Sequence, residues 1–256
     1  MILLLGGTCE TAPLATALAE NGFQVLVSTA TGITLDTGKH PRIRRRTGRL
    51  DSQGLAALAR QEGVRAIVDA THPYAVAAHS AALATAQELR IPCLTFVRPA
   101  GLRADASVPC AATHEEAARL ACDAGGPVLL TIGSKNIAPY AGAARQRGTP
   151  LFVRVLPVAE SLAACRAAGV PEQHVIAGRG PFSLADNRAL IRNLGIKTLV
   201  TKDSGAAGGL AEKLEAARLE NCRVIVVRRP PVSAGQTFSS IPALVRALNA
   251  FPKSPL

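Results

Sequence analysis

Tryptophan is missing from this chain, and aromatic residues as a whole make up only 3% of it. Proteins that hold single-stranded nucleic acid stack bases on Phe, Tyr or Trp, so this scarcity argues against a nucleic-acid partner. No apolar run approaches the ~18 residues that a membrane span needs. The opening MILLL is too short for a secretion-signal core and leads directly into Gly6-Gly7. No membrane partner is expected, and the expected compartment is the cytoplasm. The six cysteines (Cys9, Cys93, Cys110, Cys122, Cys165, Cys222) contain no C-x-x-C pair. The histidines are scattered without zinc-ligand spacing, so no metal site is expected. Neither a G-x-S-x-G elbow nor a G-x-x-x-x-G-K-[ST] loop occurs, which sets aside those hydrolase and P-loop classes.

What the chain has in excess is basic charge. Its 29 Lys and Arg outnumber 18 Asp and Glu, giving a formal charge of +11. Such a surface attracts nucleic acid, anionic lipid, or a small substrate carrying several carboxylates or phosphates. A general enrichment in arginine would give the same charge, so charge alone assigns no ligand. Hydrophobic residues make up 48% of the chain, enough for a sizeable core and against disorder. The length suits one large α/β domain or two of the usual ~100–150 residues.

Short Val-, Ile- and Leu-rich runs alternate with Ala-rich helical stretches. Strands are expected at 2–7, 24–29, 65–71 and 92–98, and again at 127–133, 151–156, 174–178, 198–203 and 223–229. Helices are expected among others at 11–21, 55–63, 77–90, 115–125 and 208–220, with a last one inside 239–250 that could pack on either domain. Alternation of this kind implies parallel strands joined by crossover helices. The Pro- and Gly-containing stretch 98–110 reads as an interdomain linker. The expected fold class is therefore α/β: two doubly wound Rossmann-like domains with parallel sheets, spanning 1–100 and 108–256, with a cleft between them. Ligands in such sheets sit beyond the carboxyl ends of the strands, and a cleft between two halves is the natural site.

Four stretches at expected strand ends carry chemistry. Gly6-Gly7-Thr8 follows the first strand, where a glycine pair allows a tight turn and a helix start presents N–H groups to phosphate. A full G-x-G-x-x-G is absent, and Thr11-Ala12-Pro13 occupies the region of the third glycine; a tight turn without a ligand remains the alternative. The second strand ends in Ser28-Thr29 with no acid, whereas NAD-specific folds place Asp or Glu there. Those hydroxyls, with Arg44 from the basic run at 42–49, suit the 2′-phosphate of NADPH better than a free ribose diol. The bland reading is that Arg42, Arg44, Arg45 and Arg46 form a solvated edge. The third stretch, DATHPYA (69–75), gathers Asp69, Thr71, His72 and Tyr74 at one strand exit, either as a site or as side chains satisfied by backbone. In the second half, TIGSKN (131–136), GRGPFSLADN (178–187) and VTKDSGAAGG (200–209) each join glycine to charged or hydroxyl residues. Lys135, Arg179 and Lys202 can meet carboxylates or phosphates, and three such loops in one half point to an anionic ligand.

Taken together, GGTCE, DATHPYA, TIGSKN, GPFSLADN, TKDSGAAGG and VVRRP resemble the precorrin-6A reductase family of cobalamin biosynthesis, including its cobalt-precorrin-6A reductases, along essentially the whole chain. The opening turn departs from the family pattern at Cys9 and Thr11. The resemblance implies NADPH-dependent reduction of one double bond in a corrin precursor, a polycarboxylate small molecule whose metal, where present, belongs to the substrate. It implies cofactor contacts by Gly6, Gly7, Thr8, Ser28, Thr29 and Arg44. Substrate contacts are implied for Thr71, Gly133, Ser134, Lys135, Arg179, Ser204 and Gly205, with His72, Tyr74, Lys202 and Asp203 as catalytic candidates. The rival reading is a two-domain tetrapyrrole enzyme without redox chemistry, of the uroporphyrinogen-III synthase type.

Overall fold

Strand β1 (Ile2–Leu5) is buried along its whole length. Ile2 and Leu4 face one core cluster, and Leu3 and Leu5 face another. A strand apolar on both faces belongs in the middle of a sheet covered by helices on both sides. In the computed structural model, which describes residues 1–30, 36–97, 108–203, 208–230 and 235–251, that is where it lies. β2 (Val25–Thr29) and β4 (Ala66–Asp69) flank it in parallel; β3 (Ile43–Thr47) lies outside β2 and β5 (Cys93–Phe96) outside β4. Helices α1 (Thr11–Glu20), α2 (Ser52–Gln61) and α3 (Val76–Leu89) connect them. The order β3-β2-β1-β4-β5 is that of a dinucleotide-binding fold.

The sixth strand of this sheet comes from the far end of the chain. β12 (Gln236–Phe238) pairs in parallel with β5, and α9 (Ile241–Ala250) sets Leu244, Val245 and Leu248 into the cluster that α1 occupies. The chain accordingly divides into one unit of Met1–Pro99 with Pro230–Leu256, and a second of Ala100–Arg229. This corrects the expectation of a second domain running to 256. A three-residue strand and an amphipathic helix carry no mark of which core they will join; that depends on which sheet edge is open.

The second unit repeats the winding. β7 (Val128–Leu130) and β10 (Thr198–Lys202) lie at its centre, β8 (Leu151–Val155) and β9 (Val175–Ala177) extend it one way, and β11 (Arg223–Val227) the other. Its outer strand is β6 (Cys110–Ala111), which precedes the rest in sequence and pairs with β11. Helices α4 (His114–Asp123), α5 (Ala138–Arg147), α6 (Ala159–Ala167), α7 (Leu184–Asn193) and α8 (Leu210–Leu219) complete it. Among the described residues each sheet thus has six strands. β3, β6 and β12 were not expected: β3 is a run of arginines on an exposed edge, where charge blunts unwanted pairing, and the other two are too short to show a pattern.

Candidate functional site

Strand order reverses in the first sheet between β1 and β4, and in the second between β7 and β10. Ligands of such sheets bind in the crevice outside these strand ends. Most of the residues singled out from the sequence lie at one or the other.

In the first unit, Gly6 and Gly7 make the turn from β1 into α1. A Cβ on Gly6 would come within 2.6 Å of Thr11 Cγ2, and Gly7 has φ +126°, so both positions require glycine. Thr11 itself is fully buried, and its hydroxyl accepts from the N–H groups of Gly7 (3.1 Å) and Thr8 (3.2 Å). The two amides that a phosphate would use are therefore held by the protein's own side chain. Thr8 is turned inward, its hydroxyl donating to Ala70 O at 3.1 Å and tying the β1 exit to the β4 exit.

At the end of β2, Ser28 stands opposite Arg46 of β3. Arg46 Nη1 donates to Ser28 Oγ at 2.8 Å and to Gly48 O at 2.9 Å, while Nη2 donates to Thr47 O at 2.9 Å. Arg45 Nη2 donates to Thr29 Oγ1 at 3.3 Å. Arg44, chosen from sequence, is engaged elsewhere: its guanidinium pairs with Glu62. Register accounts for the difference: Arg46 stands opposite Ser28 near the carboxyl end of β2, whereas Arg44, on the same face two residues earlier, stands opposite Leu26.

The DATHPYA stretch is built around a residue the sequence reading left without a role. His79, in the first turn of α3, places Nδ1 2.5 Å from Asp69 Oδ2. The Thr71 N–H and hydroxyl both donate to Asp69 Oδ1, at 3.0 and 2.8 Å. Burial works to raise the Asp69 carboxyl, but the bond and charge of His79 with the Thr71 bonds leave it lowered. The Asp69 bond chiefly raises His79, against burial, with further help from Asp69's charge and from the His72 and Pro73 backbone. The pair is an ion pair that fixes the turn. Thr71 is thus occupied internally. His72 and Tyr74 lie on the turn so held, their rings 5.6 Å apart and the Tyr74 N–H donating to His72 Nδ1 at 3.3 Å.

In the second unit, Gly133, Ser134 and Lys135 follow β7 and Lys202 ends β10, so the switch point brings them together. Thr131 stitches the two exits, its N–H (2.9 Å) and hydroxyl (3.0 Å) both donating to Val200 O. Ser134 Oγ donates to Ser161 Oγ at 3.2 Å. Burial, with the charge of Lys135, pushes the Lys202 ammonium down to about 8. His114, another residue not foreseen, is lowered by burial and then by the charge of Lys202, and its Nδ1 lies 2.9 Å from the hydroxyl of the buried Tyr140. Nothing in the sequence joins His114 to Tyr140, which stand on different helices. Asp203 is tied to Arg229, which donates from Nε to its carbonyl (2.8 Å) and from Nη2 to its carboxylate (3.3 Å). Arg179 is exposed just beyond the end of edge strand β9, two strands from β7. Ser204 and Gly205 lie outside the described residues. Among the described residues no helix is long and apolar enough to cross a membrane.

The model of the precorrin-6x reductase CbiJ/CobK family matches residues 1–249. A cobalt-precorrin-6A reductase of Priestia megaterium is 31% identical over 253 residues, covering 97% of this chain and 98% of its own length. A precorrin-6A reductase of Rhodococcus erythropolis is 35% identical over 232 residues, 90% of each chain. The solved structure of the CobK precorrin-6A reductase superposes with a TM-score of 0.78 at 27% identity, over 97% of this chain and 96% of that one. These likenesses set aside the non-redox reading. With the family model matching nearly the whole chain and relatives above 30% identity covering it, the chain belongs to the precorrin-6x reductase family, oxidoreductases that act on a CH–CH group.

Proposed function

We propose that the chain catalyses NADPH-dependent reduction of one ring double bond of precorrin-6A or cobalt-precorrin-6A, giving the 6B form. The observation that carries the nucleotide choice is Arg46, clamped by Ser28 at the end of β2, where an NAD-specific fold would carry an acid. A guanidinium in that position fits a 2′-phosphate. The Gly7 and Thr8 amides, held by Thr11, are not counted among its phosphate contacts; the residues assigned to the cofactor are Ser28, Thr29 and Arg46, with Gly6 and Gly7 leaving room for close approach. Bound there, the nicotinamide supplies a hydride to one ring carbon.

The protein's own residues orient the macrocycle and handle the accompanying proton. Lys135 and Lys202 meet carboxylates of the precursor. Lys202, its ammonium brought down toward neutrality, is also suited to deliver a proton to the carbon beside the hydride acceptor. His72 and Tyr74, presented on the Asp69–His79 turn, are the donors available in the first unit. Asp203, an ion-pair partner of Arg229, is not assigned that role.

Fluorescence titration with NADPH and NADH tests the assignment. Wild-type protein binds NADPH much more tightly, and Arg46→Ala weakens NADPH by roughly tenfold to a hundredfold, the loss of one to two charge-assisted bonds, with little effect on NADH. Equal affinities for the two nucleotides, unchanged in Arg46→Ala, would sink it.

A further inference from the structure

The loop after β9, GRGPFS at 178–183, is wound around a single ring. A Cβ on Gly178 would lie 3.0 Å from Phe182 Cζ, and one on Gly180 3.2 Å from Phe182 Cδ2. The two glycines therefore let the backbone close against the ring at two places. Against the face of that ring lies Arg154 of β8, 6% exposed, its guanidinium carbon 3.9 Å from the ring centroid. This is the planar stacking that a guanidinium offers and an ammonium does not.

Arg154 is tied in turn to the start of α7. Its Nη1 donates to Asn187 Oδ1 at 3.0 Å, and Asn187 Nδ2 donates back to the carbonyls of Phe182 (3.2 Å) and Ser183 (2.8 Å). Asn187 is itself buried. Burial lowers the Arg154 guanidinium to about 10, and the charge of Asp186, in the capping box of α7, works against that. At the other end of the loop the Gly178 N–H donates to Val155 O at 2.9 Å. Both ends of the loop and its central ring are thereby fixed. Arg179, the loop's charged side chain, is exposed, and no ion pair among the described residues holds it. It stands at the carboxyl end of the sheet, the side on which ligands of such folds bind. A solvated arginine needs no support of this kind. An arginine that meets an anion in a set geometry does, because a loop ordered beforehand loses less freedom on binding.

We infer that the 178–183 loop is a preset arm that presents Arg179 to a carboxylate of the tetrapyrrole substrate, with Arg154 and Asn187 as positioning residues acting through Phe182. The inference rests on the reductase reading only for which molecule bears that carboxylate.

The test uses the full chain, with calorimetric binding of uroporphyrin, a polycarboxylate tetrapyrrole, at constant ionic strength. Brief trypsin treatment of the folded protein, read by mass spectrometry, reports cutting after Arg179. Arg179→Gln is expected to bind uroporphyrin roughly tenfold more weakly, the worth of one charged hydrogen bond, with NADPH affinity unchanged. Arg154→Met is expected to weaken uroporphyrin to a similar degree although Arg179 is still present, and to speed cutting after Arg179 ahead of other sites, as local opening does. The double variant should bind no more weakly than Arg179→Gln alone, since both act through one contact. Where Arg154→Met folds poorly, Gly180→Ala serves, pressing a methyl against Phe182 from an exposed position. A merely structural role for Arg154 would speed cutting at all sites together and leave the affinity of the folded protein as it was. That result overturns the inference, as does a wild type that does not bind uroporphyrin, an Arg179→Gln variant that binds it normally, or additive losses in the double variant. NADPH selectivity in Arg46→Ala is read independently, so failure here leaves the nucleotide assignment standing.

Discussion

Asp69 and His79 hold the β4 exit by an ion pair whose side chains are 2% and 20% exposed. Removing one partner of so buried a pair strands the other, at a cost of about 3–5 kcal/mol. Asp69→Asn and His79→Leu should both lose stability of that order in denaturant melts. The pH dependence has a definite sign. His79 is raised above its ordinary 6.5, so its contribution is full below that value and fades as pH rises through the folded one. Asp69 is lowered below 3.8, so its contribution is full above that value and fades as pH falls through the folded one. The wild-type advantage over His79→Leu should therefore be greatest between pH 3.8 and 6.5 and shrink on the alkaline side. A difference that keeps growing above neutrality would contradict the ion pair.

Lys202 makes a kinetic prediction at the same scale. With its ammonium lowered to about 8 by burial and Lys135, a proton it delivers is lost as pH rises, and kcat/KM should fall along a limb near pH 8. Lys135→Gln removes the neighbouring charge and should move that limb to higher pH while Lys202 stays in place. An unmoved limb would take Lys202 out of the proton transfer.

Among the elements, the β1–α1 turn is the most constrained. Its glycines, the buried Thr11 and the inward Thr8 form a self-capped junction that joins two strand exits. Gly6→Ala places a methyl 2.6 Å from Thr11 Cγ2 and should cost about 1–3 kcal/mol as overpacking. Thr11→Ala alone strands the Gly7 and Thr8 amides, at about 1–3 kcal/mol for a buried donor left unmet. In the double variant the clash disappears, so the two losses should sum to more than the combined effect in urea melts. Simple additivity would mean the turn relaxes without Thr11. The same junction shows how a near-miss of the G-x-G-x-x-G pattern is stabilised: a threonine hydroxyl does locally what a bound phosphate does elsewhere.

For the whole molecule, the decisive feature is the return of the chain to its first sheet. Leu244, Val245 and Leu248 are each no more than 6% exposed, and burial of each such side chain contributes about 1.5–3 kcal/mol. Together these rival the total stability of a typical domain. A chain ending at Arg229 should fail to fold its first unit cooperatively, losing the sharp thermal transition seen by circular dichroism. A cooperative transition of full size in that truncated chain would show that β12 and α9 are ornaments on a finished core.

Much of this was legible in the sequence because it depends on local patterns. Short apolar runs such as ILLL at β1 and VLV at the start of β2, each followed by turn residues and an Ala-rich helical stretch, read as interior parallel strands. The basic balance and the missing acid after β2 were equally local facts. Tertiary structure decided which side chains meet. Strand registry set Arg46 against Ser28 and let Arg45 reach Thr29, while Arg44 lies opposite Leu26. The meeting of β4 with α3 joined Asp69 to His79, and helix packing set Tyr140 against His114. An open sheet edge beside β5, invisible in any window of sequence, drew the last strand and helix back to the first unit. Local pattern determines what each segment is, because propensity and periodicity act over a few residues. Partnership between segments is decided by packing and registry across tens of residues, where no short-range signal exists.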